Sequence, residues 1–238
     1  MKHLALLQRD VEIIEFVAKF AYCQDRHIQK LCNLTPQYYL KVIKRLVDAD
    51  LVVRSKILAY TEPYISLSKA GAKFLSIANI SKPVLNTLYH DTLLIDLYFK
   101  LQESYPHAKF RTDKEIRREL AIHDANETIR IPDLLINDHL AIELELSEKP
   151  LARLNHIINT YIIDNNMHEV HYYLTSTRLF AKISSLTNGS TKFKFSLLEL
   201  EEGNKTIRQI AILTLGEYNY LSHIPQEPKK FGAYTYMP

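Results

Sequence analysis

Residues 131–149, IPDLLINDHLAIELELSEK, decide how this chain is read. Over residues 139–147 the side chains alternate. Leu140, Ile142, Leu144 and Leu146 fall on one face, and Ala141, Glu143, Glu145 and Ser147 on the other. Leu134 to Ile136 form a short apolar run ending at Asn137-Asp138, a turn signal. With residues 137–139 as the loop, Ile136 pairs with Leu140 and Asp133 lies opposite Glu143. Side chains so opposed have Cβ atoms about 4.5–5.5 Å apart, and like charges there repel. Glu145 stands two residues along the same face. Acids crowded this way need a cation among them, and an oxygen-rich site suits Mg²⁺ or Mn²⁺. The competing reading is an edge hairpin with a solvated acidic face. The apolar surroundings favour a buried sheet instead, and Lys149 follows at a helix start, where it can face the same acids.

Downstream, Pro150 opens a helix in which Leu151, Leu154, Ile158 and Tyr161 recur at helical spacing and pack on the sheet, with Arg153, His156 and Asn159 elsewhere. Val170 to Leu174 reads as a strand, Ser176 caps a helix over 177–187, and Asn188-Gly189 ends it. Strands are expected over 192–200 and 207–215. Upstream, residues 84–104 form a long helix with Leu85, Leu88, Leu94, Ile95 and Leu101 inward and His90 and Asp91 within it. Residues 108–120 start as a strand and continue as a charged run in which Glu115 is a further metal-ligand candidate, though a solvated segment is the plainer reading. The order is helix, three strands, helix, strand, helix, strand, an α/β sandwich.

The first 80 residues differ in kind. Residues 9–22 have a helical apolar period at Val11, Ile14, Val17 and Ala18. Gln24-Asp25 can start a second helix carrying Ile28 and Leu31. Thr35-Pro36 starts a third, with Thr as N-cap and Pro at the first helical position, running to about Asp48 and burying Leu40, Ile43, Leu46 and Val47. Strands at 51–55 and 64–67 flank a turn near Thr61-Glu62-Pro63, and Ser68 caps a helix to Ala78. Residues 79–83 read as the linker. Three helices and a hairpin resemble bacterial winged-helix DNA-binding domains. That resemblance implies Gln37 and Tyr38 at base edges, and Lys41, Lys44, Arg45, Arg54 and Lys56 at phosphates. A winged helix used for protein contacts, with its lysines solvated, is the alternative.

Composition bounds the class. A chain of 238 residues with 47% hydrophobic and 24% charged residues and only 5 Gly is an ordinary globular protein of one large or two small domains. The start, MKHLALLQRD, has too short an apolar run for a signal peptide. No apolar stretch reaches about 18 residues. Cys23 and Cys32 lack metal-site spacing and read as buried thiols. A cytoplasmic location with no membrane span is expected. Net charge is +3 overall, but residues 1–83 hold 13 Lys+Arg against 7 Asp+Glu, a net +6, leaving the remainder at −3. A basic first part beside an acidic second part suits nucleic acid recognition joined to an acidic site.

Pro132-Asp133 followed by Glu143-Leu144-Glu145 resembles the PD-(D/E)xK nuclease superfamily, with Glu145 standing where most members carry lysine and Lys149 as the candidate substitute. Adding Ala152-Arg153-Leu154, Tyr161 and the winged helix, the chain resembles MobC-type plasmid relaxases and the replication-relaxation proteins, which also carry a histidine near the position of His90. The resemblance implies an α/β (α+β) fold: a winged-helix domain over 1–80 and a restriction-endonuclease-like mixed-sheet α/β domain over 81–238. It implies a metal-dependent, site-specific DNA strand-nicking endonuclease of a mobilisable plasmid, acting at an origin of transfer. Asp133 and Glu143 would hold Mg²⁺ or Mn²⁺, Glu145 would be a further ligand or orient water, and Lys149 would stabilise charge on the phosphate. Partners would be double-stranded origin DNA and relaxosome accessory or coupling proteins. Single-stranded DNA is one of three readings of the tyrosine-rich tail 216–238, beside wrapping the domain and remaining loose. Tyrosine-type relaxation needs a His-x-His strand, and the ten histidines contain none. The alternative function is a non-enzymatic DNA-binding regulator that keeps a degenerate nuclease fold, a reading that the missing lysine at 145 supports. A protein-interaction adaptor is a third.

Overall fold

The computed structural model describes residues 6–57, 62–78, 83–120, 130–201 and 207–213, which form a mixed α/β architecture. The first half runs α1 (Gln8–Phe20), β1 (Tyr22–Gln24), α2 (Asp25–Leu31), α3 (Pro36–Asp48), β2 (Val52–Ser55), β3 (Tyr64–Leu67) and α4 (Lys69–Phe74). The three strands make an antiparallel sheet in the order β1-β3-β2. β1 was not anticipated, because three residues between two helices are too few to show an alternation. The predicted caps form: the Tyr38 amide donates to Thr35 Oγ1 at 3.4 Å, with Pro36 next in line, and the Gly71 amide donates to Ser68 Oγ at 2.9 Å.

α3 turns a different stripe inward from the one expected. Tyr39, Val42, Ile43 and Leu46 are buried, whereas Val47 is exposed and Leu40 keeps 54% of its surface. Both stripes share Ile43 and Leu46. Tyr39 decides between them, because its ring fills the core and its hydroxyl donates to Asp25 Oδ1 at 2.5 Å.

The second half runs α5 (Leu88–Ser104), β4 (Phe110–Thr112), α6 (Asp113–Glu119), β5 (Leu134–Ile136), β6 (Leu140–Glu145), α7 (Leu151–Ile163), β7 (Glu169–Leu174), α8 (Thr177–Ser184), β8 (Phe193–Leu200) and β9 (Ile207–Leu213). The sheet order is β4-β5-β6-β7-β8-β9, with β6, β7 and β8 parallel to their neighbours in that trio and the other pairings antiparallel. α5 begins at Leu88 rather than residue 84, and Leu85 is 64% exposed instead of inward. The charged run after β4 is a helix held by a capping box: the Glu115 amide donates to Thr112 Oγ1 at 3.2 Å and the Thr112 amide to Glu115 Oε2 at 2.8 Å. Asn188 and Gly189, both with positive φ, close the turn after α8.

β6 is buried along its whole length. Its Leu140, Ile142 and Leu144 join one core with α1, α3 and α5, while Ala141 joins a second with Leu154, Ile157, Ile158 and Tyr161 of α7 and Leu179, Phe180 and Ile183 of α8. Leu151 lies outside that layer, exposed at the helix start. The first core is continuous across both halves of the chain. Phe16 stacks on Phe99 at 5.6 Å, Phe20 meets Tyr98 edge-on at 5.1 Å, and Tyr98 meets Phe110 at 5.2 Å. Polar ties reinforce the seam: Lys19 Nζ donates to the Phe110 carbonyl at 2.6 Å and Arg118 Nη1 to that of Ala18 at 2.8 Å. Cys23 is a buried free thiol and Cys32 a half-buried one. No described helix is long and apolar enough to cross a membrane. The tail 216–238, Thr61 and all of the expected linker but Pro83 lie outside the described residues.

At Gly71 a Cβ would stand 1.9 Å from the Leu51 carbonyl oxygen, a backbone atom that cannot step aside. Gly71→Ala is therefore expected to lower unfolding stability by about 1–3 kcal/mol, read as a lower urea midpoint at constant slope. An unchanged midpoint would show that α4 and Leu51 are not in this contact.

Candidate active site

The β5–β6 register is the one the alternation predicts. Ile136 pairs with Leu140, Leu135 with Ala141 and Leu134 with Ile142, so one further step sets Asp133 opposite Glu143. Asn137 and Asp138 both adopt positive φ, the left-handed turn geometry to which these residue types are suited. Glu143 and Glu145 are 3% and 5% exposed, whereas the Asp133 side chain keeps 22% and so opens to solvent.

Each acid has its own partner from the protein. Asp133 Oδ2 accepts the Leu144 amide at 2.8 Å and faces His90 Nε2 at 3.4 Å. Glu143 takes the Tyr161 hydroxyl on Oε1 and the Arg130 guanidinium on Oε2. Glu145 Oε2 takes Lys149 Nζ, four residues on. Buried carboxylates are tolerable only when paired and hydrogen-bonded in this way. Among the described residues, no three His, Cys, Asp or Glu side chains converge so as to hold a metal ion. The donor set nonetheless fits a hard cation in kind, since Asp133 and Glu143 are oxygen donors near enough that the charge of Asp133 raises Glu143. A positive charge, that of Arg130, already stands at Glu143.

His90 links this cluster to a second group beside it. Its Nδ1 faces Asp91 Oδ1 at 3.2 Å. Asp91 Oδ2 accepts the Tyr22 hydroxyl and, at 3.0 Å, that of Thr87. Asp113, at the start of α6, pairs with Lys114 at 3.1 Å. Its own amide donates to the Asp133 carbonyl at 3.3 Å. Glu115, by contrast, is occupied by its helix cap and by Lys19 at 3.1 Å.

Proton affinities follow from these contacts. Burial alone would push Asp133 up, but His90, the Leu144 amide and Arg130 outweigh it and hold the carboxyl below its usual range. Burial raises Glu143 to about 7, opposed by Arg130 and assisted by Asp133. Burial likewise raises Asp113, with Lys114 opposing and Asp133 and Asp91 adding to the push. His90 is the converse case: burial lowers it, yet Asp133 and Asp91 together lift it to about 10, so it is an imidazolium at neutral pH.

Arg130, Asp113 and Tyr172 escaped the sequence reading. Tyr172 is Glu143's partner on β7; it is buried, and its hydroxyl has no hydrogen-bond partner among the described residues. The only sequence signal for Arg130 is its place three residues before Asp133, which is too common to use.

On the first half, Gln37, Tyr38, Lys41, Lys44 and Lys56 are exposed. Lys44 makes a surface pair with Asp48 at 3.0 Å, and Tyr38 accepts from Arg9 at 2.9 Å. Arg45 and Arg54 keep about a third of their side-chain surface, but each is paired, with a nitrogen at 2.5 Å from Asp10 and Asp25 respectively. Asp10 is fully buried.

No protein-family model, no curated protein and no solved structure matches the chain.

A histidine whose folded pKa exceeds its unfolded value binds its proton more tightly when folded. The stabilisation is fully present below about 6.5 and is lost as pH rises through about 10. Wild type is therefore expected to exceed His90→Asn in unfolding free energy at pH 6 by about 2–4 kcal/mol. The gap should close toward pH 10.5 in denaturant titrations. A gap constant with pH would mean that His90 is not charged in the fold.

Proposed function

We propose that this chain is a metal-dependent, site-specific DNA strand-nicking endonuclease of the PD-(D/E)xK kind, a relaxase of a mobilisable plasmid acting at its origin of transfer. The observation that carries this reading is the hairpin register. It sets Asp133 opposite buried Glu143, with Glu145 two residues on. The order α5-β4-α6-β5-β6-α7-β7, with three antiparallel-paired strands and a fourth parallel to the third, is consistent with a restriction-endonuclease-like core. The helices and three-stranded sheet of the first half are consistent with a winged helix.

Asp133, Glu143 and Glu145 would hold Mg²⁺ or Mn²⁺, which supplies a Lewis acid for the scissile phosphate and a bound water of lowered pKa. The chain's own groups do the rest. The His90 imidazolium keeps Asp133 ionised. Burial raises Glu143 to about 7 here, and a bound cation would favour its charged, ligating form. Lys149 is a quarter exposed and can offer charge to a phosphate oxygen while holding Glu145. On α3, Gln37 and Tyr38 would meet base edges, and Lys41, Lys44 and, beyond β2, Lys56 would meet phosphates. Arg45 and Arg54, already satisfied by Asp10 and Asp25, would add little to DNA affinity.

One observation favours a second reading, a DNA-binding regulator without chemistry: every acid of the cluster already has a protein cation.

Supercoiled plasmid carrying the cognate origin should turn open-circular with Mn²⁺ or Mg²⁺. Asp133→Asn should abolish nicking, at least a thousandfold in rate by the scale of lost electrostatic catalysis, about 4 kcal/mol, while leaving band-shift binding intact. Binding with no nicking in either metal would select the regulator. Separately, Lys41→Ala with Lys44→Ala should weaken binding to all DNA sequences and reduce the slope of log K against log salt by about 2. An unchanged slope would remove α3 from the interface.

A further inference from the structure

Glu143 has no carboxylate oxygen free. Oε1 accepts from the Tyr161 hydroxyl and Oε2 from Arg130 Nη2, on a strand that is buried throughout. Arg130 itself is three-quarters buried and lies against the Tyr161 ring, 5.8 Å from its centroid. Its hold is partial. Only Nη2 is bonded to the carboxylate, and Nε is buried with no partner among the described residues, so the two-pronged grip that makes arginine–carboxylate pairs strong is missing. A divalent ion needs lone pairs on the same carboxylate, and two cations against one buried oxygen repel each other in a medium that screens poorly.

A second observation points the same way. The Tyr172 hydroxyl, on the strand beside Glu143, is buried without a partner among the described residues, although it feels the charges of Glu143, Arg130, Glu145 and Asp133. An unpartnered buried hydroxyl is costly and calls for an explanation. With Arg130 off Glu143, that hydroxyl has a freed carboxylate oxygen among its neighbouring charges.

We propose that the Arg130 guanidinium and a divalent cation are alternative occupants of one position at Glu143, so that metal binding requires Arg130 to swing off. The proposal rests on the metal-site reading above and adds what governs it. Arg130 is the resident counter-charge that allows the acids to stay buried without metal. It also weakens the site for metal by competing with it. Displaced, it leaves a mobile guanidinium beside the cluster, suited to a phosphate oxygen.

The test is Mn²⁺ binding to the full-length protein, measured by calorimetry and by the electron paramagnetic resonance of free Mn²⁺, together with thermal unfolding with and without Mn²⁺. Arg130→Gln should bind Mn²⁺ at least tenfold more tightly than wild type. It should also melt lower without Mn²⁺ and gain more in Tm when Mn²⁺ is added. Arg130→Lys keeps the charge but loses the flat face on Tyr161; it should shift Kd the same way by a smaller factor, and it decides the matter if Arg130→Gln does not fold. Affinity equal to or weaker than wild type in whichever variant folds, with binding still abolished by Asp133→Asn, overturns the competition and leaves the metal site standing. No Mn²⁺ binding in any form, or binding indifferent to Asp133→Asn, overturns the metal site and the competition with it.

Discussion

Burying two glutamates and hydrogen-bonding an aspartate to the next strand is the constraint around which this molecule is arranged. A carboxylate withdrawn from water carries a cost of several kcal/mol unless a cation and hydrogen-bond donors replace its hydration. β6 meets that cost residue by residue. Glu145 is answered locally by Lys149, Glu143 by Arg130 and Tyr161, and Asp133 by His90 and the Leu144 amide. The answering groups come from α5, from the segment before β5, from α7 and from the loop between β6 and α7. The acids thereby dictate how those pieces sit around the hairpin. On the reverse face of the same strand, Leu140, Ile142 and Leu144 anchor the larger core, so polar and apolar demands fix one strand from both sides.

What could be read in advance divides along lines of locality. The hairpin was legible because a period of two and a turn pair leave a single sensible register, and a slip by one residue would have sent Glu143 into the leucine core. The order of elements was legible for the same reason: Pro150, Ser176 and Thr35 mark helix starts by chemistry that depends on neighbours alone. α3 shows where local patterning fails. Two apolar stripes overlap at Ile43 and Leu46, and the choice is made by Tyr39 reaching Asp25 in another helix. Arg130 and Asp113 were hidden for a related reason. Nothing near them in the chain declares that they will meet Glu143 and Asp133 across the fold. His90 came into view only through resemblance, and its two aspartate neighbours show why a lone helical histidine holds that position.

The basic character of the first half also changes meaning once the side chains are located. Counting residues credits Arg45 and Arg54 to the surface field. Each in fact neutralises a buried or largely buried aspartate, and Asp10 is held ionised against its own burial by the Leu7 amide, Arg45 and Arg9. The exposed lysines there, Lys41, Lys44 and Lys56, have no buried acid to answer. Here arginine, with its planar fork, reaches in to answer the buried aspartates, while lysine, a hydrated point charge, stays at the surface.

The aromatic seam that joins α1 to α5 and β4 has a mechanical corollary. Phe16, Phe20, Tyr98, Phe99 and Phe110 interlock, so the two halves cannot slide or pivot without prising rings apart and wetting them. The span from the exposed face of α3 to Asp133 is thus a fixed ruler rather than a tether. Severing the polypeptide between the halves would leave two raw, water-averse scars instead of two self-sufficient parts.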